Sequence, residues 1–309
     1  MKCLFVGFGT IAQKHYAALY SLEPKCKFYA LRSSLTPRFI NPNVIDVYSW
    51  DDIPKKIDFA IISTPTRYHL DSLIKLVDLG INIFIEKPIS DDLLGLEELS
   101  NLIKRKNIKT YVACNLRFLP VLNYFNEKVL PTITRINEVT IYCGSYLPSW
   151  RDNQDYYSFY SAHESQGGGV HLDLFHELDY ACWLFGMPKK SKRFLTNNSS
   201  LNITSKDFAN YLLLYDYYSV VITLNYFRRD AKREIEVVTD EETFKIDLLK
   251  NIISNSQGII MYEDKMSGIL ETYKYQMKYF IDFINDAESE INSIEYSSKI
   301  LKICLSNET

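Results

Sequence analysis

The sequence contains no apolar run long enough to cross a membrane. Its longest apolar stretches, at 59–62 and 81–85, fall far short of the roughly 20 residues that a membrane-spanning helix needs. The first apolar residues run directly into a glycine turn at Gly7, whereas a secretory signal needs a longer apolar run followed by a small-residue cleavage site. We therefore expect no membrane partner and a cytoplasmic location.

An excess of charge of either sign is also missing. Lysine and arginine number 35 against 38 acidic residues, a net charge of −3, so no global field draws the chain to nucleic acid. The six cysteines are scattered and form no C-x-x-C pair, which argues against a metal or redox centre built on thiols. We expect reduced core cysteines, no bound metal and a small-molecule partner.

What remains is the composition of an ordinary globular protein. Hydrophobic residues make up 47% and charged residues 24% of 309 residues, which suits a packed core and leaves room for two domains.

Up to about residue 115, short β-rich runs alternate with helical patterns, as in a parallel sheet covered by helices. The predicted strands are Lys2–Val6, Lys27–Leu31, Phe59–Ser63, Asn82–Ile85 and Thr110–Ala113, and the predicted helices are Ile11–Ser21, Tyr68–Leu79 and Asp92–Lys106. This order predicts a doubly wound, dinucleotide-binding Rossmann domain over residues 1–116.

The pattern changes after Leu116 to alternating strands that follow one another without helices between them. The predicted strands are Ile136–Tyr142, Asp207–Tyr215, Ser219–Tyr226, Arg233–Thr239 and Glu242–Leu249, with predicted helices at Val170–Phe185 and Leu270–Asn285. Consecutive strands indicate a largely antiparallel sheet. We therefore predict an α/β protein whose second domain, residues 117–309, is α+β with an open, mostly antiparallel sheet.

A glycine motif follows the first predicted strand and opens a helix. It reads Gly7, Phe8, Gly9, Thr10, Ile11 and Ala12, with alanine in the third glycine slot. The glycines let the backbone turn tightly and approach a pyrophosphate, which the free N–H groups of the helix then hold. This position predicts a dinucleotide site.

The end of the second predicted strand bears on the choice of dinucleotide. An acidic side chain there binds the ribose hydroxyls of NAD, but this chain reads Leu31, Arg32, Ser33 and Ser34. Arg32 can pair with a 2′-phosphate and the two serines can donate to it. We therefore expect NADP as the cofactor, with NAD as the other option, and the alternative for Arg32 is a solvated strand-end charge.

A second group of motifs carries a family resemblance. Glu86-Lys87-Pro88 ends a buried strand at the carboxyl edge of the predicted sheet, where doubly wound folds bind ligands. The motifs are the glycine turn with His15, Thr64-Pro65 with His69, Glu86-Lys87-Pro88, residues 115–118 (NLRF) and residues 167–179. Together they resemble the Gfo/Idh/MocA oxidoreductase family, over nearly the whole chain.

The resemblance implies a Rossmann domain joined to an α/β domain whose open sheet commonly forms an oligomer interface, hence a homodimer or homotetramer. It implies that Lys87 lies beside the nicotinamide and the reacting carbinol, and that His176 acts in proton transfer. By the same motifs, cofactor contacts are expected from Thr64, Pro65, His69, Glu86 and Lys87.

Helical periodicity over 170–185 adds to this assignment, because residues 173, 176, 180 and 183 then share one face. We hypothesise that Lys87 and His176 relay the hydroxyl proton while Asp173 orients the imidazole. Many members of the family place the aspartate four residues before the histidine, and here it precedes by three. The alternatives are that Asp173 and His176 only brace the helix entry, or that both bind zinc with His171, which faces another way.

The stretch before the glycine run is rich in polar and aromatic residues suited to a sugar. The substrate-binding candidates are Arg117, Trp150, Arg151, Tyr156, His163, Asp173 and His176, and further arginines at 228, 229 and 233 could clamp an anionic group. The segments 146–186 and 227–233 resemble family members associated with bacterial surface-polysaccharide or amino-sugar synthesis.

The resemblance therefore implies an NAD(P)-dependent dehydrogenase or reductase acting on CH–OH groups of a sugar or nucleotide-sugar derivative. One alternative is a non-catalytic, dinucleotide-responsive regulatory or binding protein of the same fold. Another is an enzyme of this class that reduces an imine or another unsaturated ring.

Overall fold

A computed structural model describes residues 1–36 and 39–308. Contacts divide them into two compact units, the first comprising Met1–Asn115 and Leu270–Leu301, the second comprising Leu116–Ile269 and the residues from Lys302 onward. The sequence predicted a division into 1–116 and 117–309. The structure differs at Leu270–Leu301, which packs with the first unit although it follows the second in the chain.

The strands are β1 Lys2–Val6, β2 Lys27–Leu31, β3 Val44–Val47, β4 Phe59–Ile62, β5 Asn82–Ile85, β6 Thr110–Val112, β7 Ile136–Tyr146, β8 Lys190–Thr196, β9 Phe208–Leu214, β10 Ser219–Asn225, β11 Phe227–Thr239, β12 Thr243–Asp247, β13 Ile252–Ser254 and β14 Ile260–Glu263. The helices are α1 Thr10–Leu22, α2 His69–Asp78, α3 Leu96–Lys106, α4 Pro120–Tyr124, α5 Val170–Asp173, α6 His176–Phe185, α7 Ile269–Ile284 and α8 Ile294–Leu305. None of the helices in these described ranges is long and apolar enough to span a membrane.

The first unit is built on a parallel sheet in the order β3-β2-β1-β4-β5-β6. Strands β1, β4 and β5 are almost wholly buried runs of apolar residues, as expected when helices cover both faces. From β1 the chain adds β2 and β3 on one side of the sheet, and then β4, β5 and β6 on the other side. The boundary between β1 and β4 is therefore the topological switch point, where doubly wound folds bind ligands. The predicted Rossmann domain is confirmed.

Helix α7 completes the core of this unit from far along the chain. The Phe280 ring lies 5.4 Å from the rings of both Phe59 and Phe84. The outer edge of β6 is paired as well, since the Val112 N–H donates to the Asn292 carbonyl and the Asn292 amide donates to the Val112 carbonyl. Covering an edge strand in this way removes a site for unwanted pairing.

The second unit contains an open sheet in the order β14-β13-β12-β11-β7-β10-β9-β8. Neighbouring strands are antiparallel except β7 and β10, which are parallel. Along β9 and β10 buried residues alternate with half-buried ones, so one face is packed and the other is partly open. The predicted α+β domain with an open, mostly antiparallel sheet is confirmed.

One predicted helix is wrong in a way that matters for the site. The pattern over 170–185 predicted a continuous helix, but α5 ends at Asp173 and α6 begins at His176, with Leu174 at φ −96°, ψ 38°. The face shared by residues 173 and 176 therefore does not exist. Tyrosine hydroxyls from residues 160 and 226 hold the Asp173 carboxylate, and such a tertiary constraint leaves no trace in periodicity.

The other differences concern short elements. Strands β3, β8, β13 and β14 and helices α4 and α8 have no counterpart among the predictions, while the remaining elements lie within a few residues of their predicted bounds, apart from β11, which begins six residues earlier. The missed strand β3 has only 4 residues, too few to show a clear alternation.

Candidate active site

The glycine turn joins β1 to α1 as the sequence predicted. Gly7 has φ +81°, and a Cβ there would lie 3.0 Å from Cγ2 of Thr64, so both the conformation and the space require glycine. At Gly9 a Cβ would meet nothing within 4 Å. Helix α1 has no side-chain cap and no acidic residue in its first turn, which leaves its first N–H groups available to an anion.

A cavity of about 670 Å³ opens in front of this turn. Its walls include most of the predicted cofactor contacts, namely Gly7, Phe8, Gly9, Arg32, Ser33, Ser34, Thr64 and Pro65. Tyr48 and Trp50, which follow β3, line the same cavity and were missed because β3 was missed. The volume and the mixture of walls suit a nucleotide. The free helix terminus and the open space at Gly9 therefore fit a dinucleotide.

The remaining residues of the predicted cofactor set have other surroundings. Thr10, Ile11 and Ala12 form the first turn of α1, and Ala12 is fully buried. Glu86 and His69 are also buried and are held by protein groups, so we correct them from cofactor contacts to residues that support the site.

Arg32 is not the solvated or free cation that the sequence indicated. Its Nε donates to Oδ1 of Asp46 at 2.7 Å, and the two side chains are 5% and 22% exposed. Asp46 lies on β3, beside Ala30 in the parallel register of β2 and β3. The premise that no carboxylate lies at this position is therefore wrong, and the argument for NADP that rested on it does not hold.

Glu86 forms a buried hydrogen-bonded pair with His15 of α1. His15 Nε2 lies 2.5 Å from Oε1 of Glu86, and the Lys87 N–H donates to Oε2. Burial alone would raise the pKa of Glu86, but the hydrogen bond from His15 and the nearby charge of Lys87 outweigh burial and lower it. The residue before Lys87 is thus a carboxylate fixed on both oxygens.

His69 ties together the segments that follow β4 and β5. Its Nδ1 lies 2.8 Å from the Pro88 carbonyl oxygen and its Nε2 lies 2.8 Å from the Thr64 carbonyl oxygen. Burial lowers the pKa of His69, although the hydrogen bonds to both carbonyl groups oppose that shift. His15 and His69 therefore brace the Glu86-Lys87-Pro88 segment from two sides.

Lys87 stands out by its exposure. In the run 83–90 every residue is buried except Lys87, which is half-buried. The segment is held by buried contacts and leaves one side chain partly accessible, in the position beyond a parallel strand where doubly wound folds bind ligands.

His176, in the second unit, is also a partly accessible residue within a buried segment. In the run 170–182 every residue is buried except His176, which is half-buried. Two buried acidic residues later in α6 anchor its helix. Glu177 accepts from Arg233 Nε at 2.8 Å, and Asp179 accepts from Arg117 Nε at 2.8 Å and from Nη2 at 2.5 Å.

Arg117 therefore has a different position from the one predicted for a substrate ligand. Its side chain is 4% exposed and that of Asp179 is 2% exposed, so the bidentate pair is closed off from solvent. Arg233 is likewise committed to Glu177, which is fully buried. The signal that could have revealed these pairs is the presence of two acids inside an otherwise apolar helix, since buried carboxylates need partners.

Asp173 lies in a cluster of aromatic hydroxyls. Its carboxylate accepts from the Tyr226 hydroxyl at 2.5 Å and also from the Tyr160 hydroxyl. Tyr226 is fully buried, and burial followed by the charge of Asp173 raises the pKa of its hydroxyl well above the ordinary value. The Trp150 ring meets the Tyr226 ring edge-on at 5.3 Å. Tyr226, which the sequence analysis did not single out, thus connects two predicted substrate residues.

The other substrate candidates lie in the loop that precedes the glycine run. Arg151 lies with its guanidinium 4.5 Å from the Phe159 ring centre, Tyr156 stacks on Tyr157, and His163 Nε2 lies 2.6 Å from the Tyr157 carbonyl oxygen. Gly168 explains part of the glycine run, because a Cβ there would lie 2.2 Å from the Tyr160 carbonyl oxygen. The loop backbone therefore packs directly against the start of α5.

No group of three or more histidine, cysteine, aspartate or glutamate side chains suited to a metal ion occurs within residues 1–36 and 39–308. The zinc alternative for residues 171, 173 and 176 finds no support among these described side chains. All six cysteines are buried, and none of them forms a disulfide.

A doubly wound sheet with a glycine turn at its switch point, followed by an α/β unit with an open sheet, defines a two-domain dinucleotide-binding protein. Residues 1–114 match the model described as oxidoreductase family, NAD-binding Rossmann fold, and residues 133–296 match the model described as oxidoreductase family, C-terminal alpha/beta domain. The chain belongs to the Gfo/Idh/MocA oxidoreductase family, which confirms the predicted membership.

Two curated relatives illustrate the extent of the similarity. An uncharacterized oxidoreductase of Streptococcus pneumoniae serotype 4 is 30% identical over 139 residues, covering 43% of this chain and 36% of that protein. The scyllo-inositol 2-dehydrogenase (NAD(+)) of Bacillus subtilis is 28% identical over 195 residues, covering 60% of this chain and 54% of that protein. The match thus spans about a third to a half of the length of these relatives.

Among solved structures, levoglucosan dehydrogenase in complex with NADH matches with a TM-score of 0.81 at 16% identity, covering 98% of this chain and 95% of that chain. At this level of identity the likeness shows the fold. It extends over both units, each of which therefore has the fold found in that enzyme.

Proposed function

We propose that the chain is an NAD(P)-dependent dehydrogenase that acts on a CH–OH group of a sugar, a polyol or a nucleotide-sugar derivative. The observation that carries the proposal is the exposure of Lys87 and His176, each the one accessible side chain in a buried, braced segment. A protein that only sensed dinucleotides would have no need for a lysine and a histidine held in this way.

The bound nicotinamide supplies the hydride acceptor or donor. Lys87 and His176 supply proton transfer, because a hydroxyl that loses a hydride from its carbon must also lose its proton, and a positioned base contributes roughly 10²- to 10⁴-fold in rate. In the proposed reaction these two residues take up the hydroxyl proton and hold the resulting carbonyl oxygen through an N–H donor. The fixed Glu86 keeps the backbone of Lys87 in place.

Asp173 remains a candidate for orienting the substrate or His176. Its carboxylate accepts from two tyrosine hydroxyls, and its remaining lone pairs can accept a further hydrogen bond from a substrate hydroxyl. Trp150 offers an apolar ring of the kind that packs against a sugar face. We propose that Trp150, Arg151, Tyr156 and His163 contribute to the substrate site.

The substrate class is supported by the names of similar proteins, which include scyllo-inositol 2-dehydrogenase (NAD(+)) and levoglucosan dehydrogenase. These act on cyclic polyols or sugars. A polar and aromatic loop is the surface that such ligands require.

The test is a turnover assay at the nicotinamide absorbance band with scyllo-inositol, levoglucosan and a UDP-sugar. Lys87→Met should bind the dinucleotide as the unaltered protein does and lose at least about 10²-fold in kcat. Lys56→Met, at an exposed position, is the matched control and should retain full activity. Near-normal turnover by Lys87→Met would refute the catalytic assignment. Dinucleotide binding with no turnover on an extended panel would favour the regulatory alternative.

We also propose that the partly open sheet face mediates self-association. Phe194 on β8 is 62% exposed, and Leu212 and Val221 on the same side are half-buried, which is unusual for a surface that faces only water. Sedimentation velocity at micromolar concentration should give a dimer or tetramer. A monomer would contradict the proposal.

A further inference from the structure

The ion pair at the end of β2 bears on which dinucleotide the cavity accepts. Arg32 lines the cavity together with Ser33 and Ser34, so it stands where a ribose-recognising residue is expected. Its guanidinium is nevertheless occupied. Nε donates to Asp46, Nη1 lies 3.4 Å from the Phe8 carbonyl oxygen, and the group lies 4.7 Å from the centre of the Phe8 ring.

These contacts join three segments of the first unit. Phe8 belongs to the glycine turn, Arg32 directly follows β2, and Asp46 lies on β3. The Arg32 N–H also donates to the Val47 carbonyl of β3 at 2.9 Å. The arginine is therefore held by the backbone and by side chains in one orientation. Pairing with a phosphate would require it to leave or share a carboxylate that already neutralises it.

Asp46 itself is 22% exposed, so its carboxylate keeps contact with solvent. A carboxylate accepts hydrogen bonds from ribose hydroxyls and repels a phosphate. The cross-strand register of β2 and β3 thus brings the Asp46 carboxylate from the third strand to Arg32, at the end of the second strand.

We propose that Asp46 is a specificity-determining residue that makes the site select NAD over NADP, because it neutralises and holds Arg32, the cation that would otherwise meet a 2′-phosphate. The inference rests on the proposed dinucleotide site. Removal of the carboxylate leaves Arg32 and the two serines to receive a 2′-phosphate, so the same site should then accept NADPH.

The experiment measures dissociation constants for NADH and NADPH by fluorescence titration of the full chain. The unaltered protein should bind NADH at least about tenfold more tightly than NADPH. Asp46→Asn, which has the same shape without the charge, should improve NADPH binding relative to NADH by about tenfold or more, the worth of a hydrogen bond to a charged group. Asp52→Asn, an exposed aspartate nearby, changes net charge equally and should leave the ratio unchanged.

Three results would overturn the inference. The first is tighter binding of NADPH than of NADH by the unaltered protein, a measurement that needs no folded variant. The second is a ratio in Asp46→Asn within twofold of the original, and the third is an equal shift in Asp52→Asn. In all three cases the proposed dinucleotide site survives, whereas failure of the unaltered protein to bind either compound would refute the proposed function along with the inference.

Discussion

Breaking the buried pair of Arg117 and Asp179 should strongly destabilise the second unit. Two hydrogen bonds of 2.8 Å and 2.5 Å join the groups, and both side chains are almost fully buried, at 4% and 2% exposure. Replacement of Asp179 by alanine removes the carboxylate that neutralises the buried Arg117 guanidinium. The free energy of unfolding should fall by about 3–5 kcal/mol, because that charge has lost its compensation.

The assay is urea denaturation followed by tryptophan fluorescence. Trp183 lies with its ring centre 5.9 Å from the Arg117 guanidinium, so its emission reports on this region. The double variant Arg117→Met, Asp179→Leu should recover most of the loss, since a buried pair replaced by apolar groups of similar size is often neutral.

The exposed pair of Lys189 and Asp216, 67% and 54% exposed, supplies the control. Asp216→Ala should cost less than about 1 kcal/mol, as exposed ion pairs do. A loss below about 1 kcal/mol in Asp179→Ala, or a double variant less stable than either single variant, would refute the reasoning that an uncompensated buried charge causes the destabilisation.

Further predictions concern three other positions. Gly7→Ala should abolish dinucleotide binding and cost about 1–2 kcal/mol in unfolding free energy, because φ is +81° and the new Cβ would press on Thr64; unchanged affinity would contradict the assignment of the turn. His69→Phe should lower kcat by on the order of tenfold to a hundredfold through misplacement of Lys87, with dinucleotide affinity retained, and an unchanged kcat would remove His69 from the bracing role. Burial lowers the pKa of His171 to about 4, whereas the unfolded value is about 6.5. Between these two values the His171 side chain is protonated in the unfolded state and neutral in the folded state. The unfolding free energy should therefore fall by up to about 3 kcal/mol between pH 6.5 and pH 4. His171→Gln should lose this part of the pH dependence, and an unaltered pH profile would show that other groups cause it.

The local features of this protein could be predicted because local physics produces them. The glycine turn follows a strand and begins a helix within residues 2–22. Along β9 and β10, buried residues alternate with half-buried ones. Both depend on neighbours a few residues apart. The class of fold was correctly predicted from such signals, and the family was correctly predicted from the resemblance of its motifs.

The chemical role of a charged residue could not be predicted in the same way. Arg32 and Arg117 were interpreted as ligands for a phosphate and a substrate, because a sequence shows a charge without its partner. Their partners, Asp46 and Asp179, lie 14 and 62 residues further along the chain. Only the folded chain brings each pair within hydrogen-bonding distance.

The break between α5 and α6 is likewise not visible in the periodicity of the sequence. Helical periodicity favoured an unbroken helix, but the Asp173 carboxylate is held by Tyr226, which is 53 residues away. The periodicity of a sequence predicts which residues of a helix face the core. Contacts between residues distant in the chain can override that pattern and interrupt the helix. In this protein the sequence therefore determines the main strands and helices and the glycine turn. The tertiary structure determines which charges remain free to meet a ligand, because that depends on groups distant in the chain.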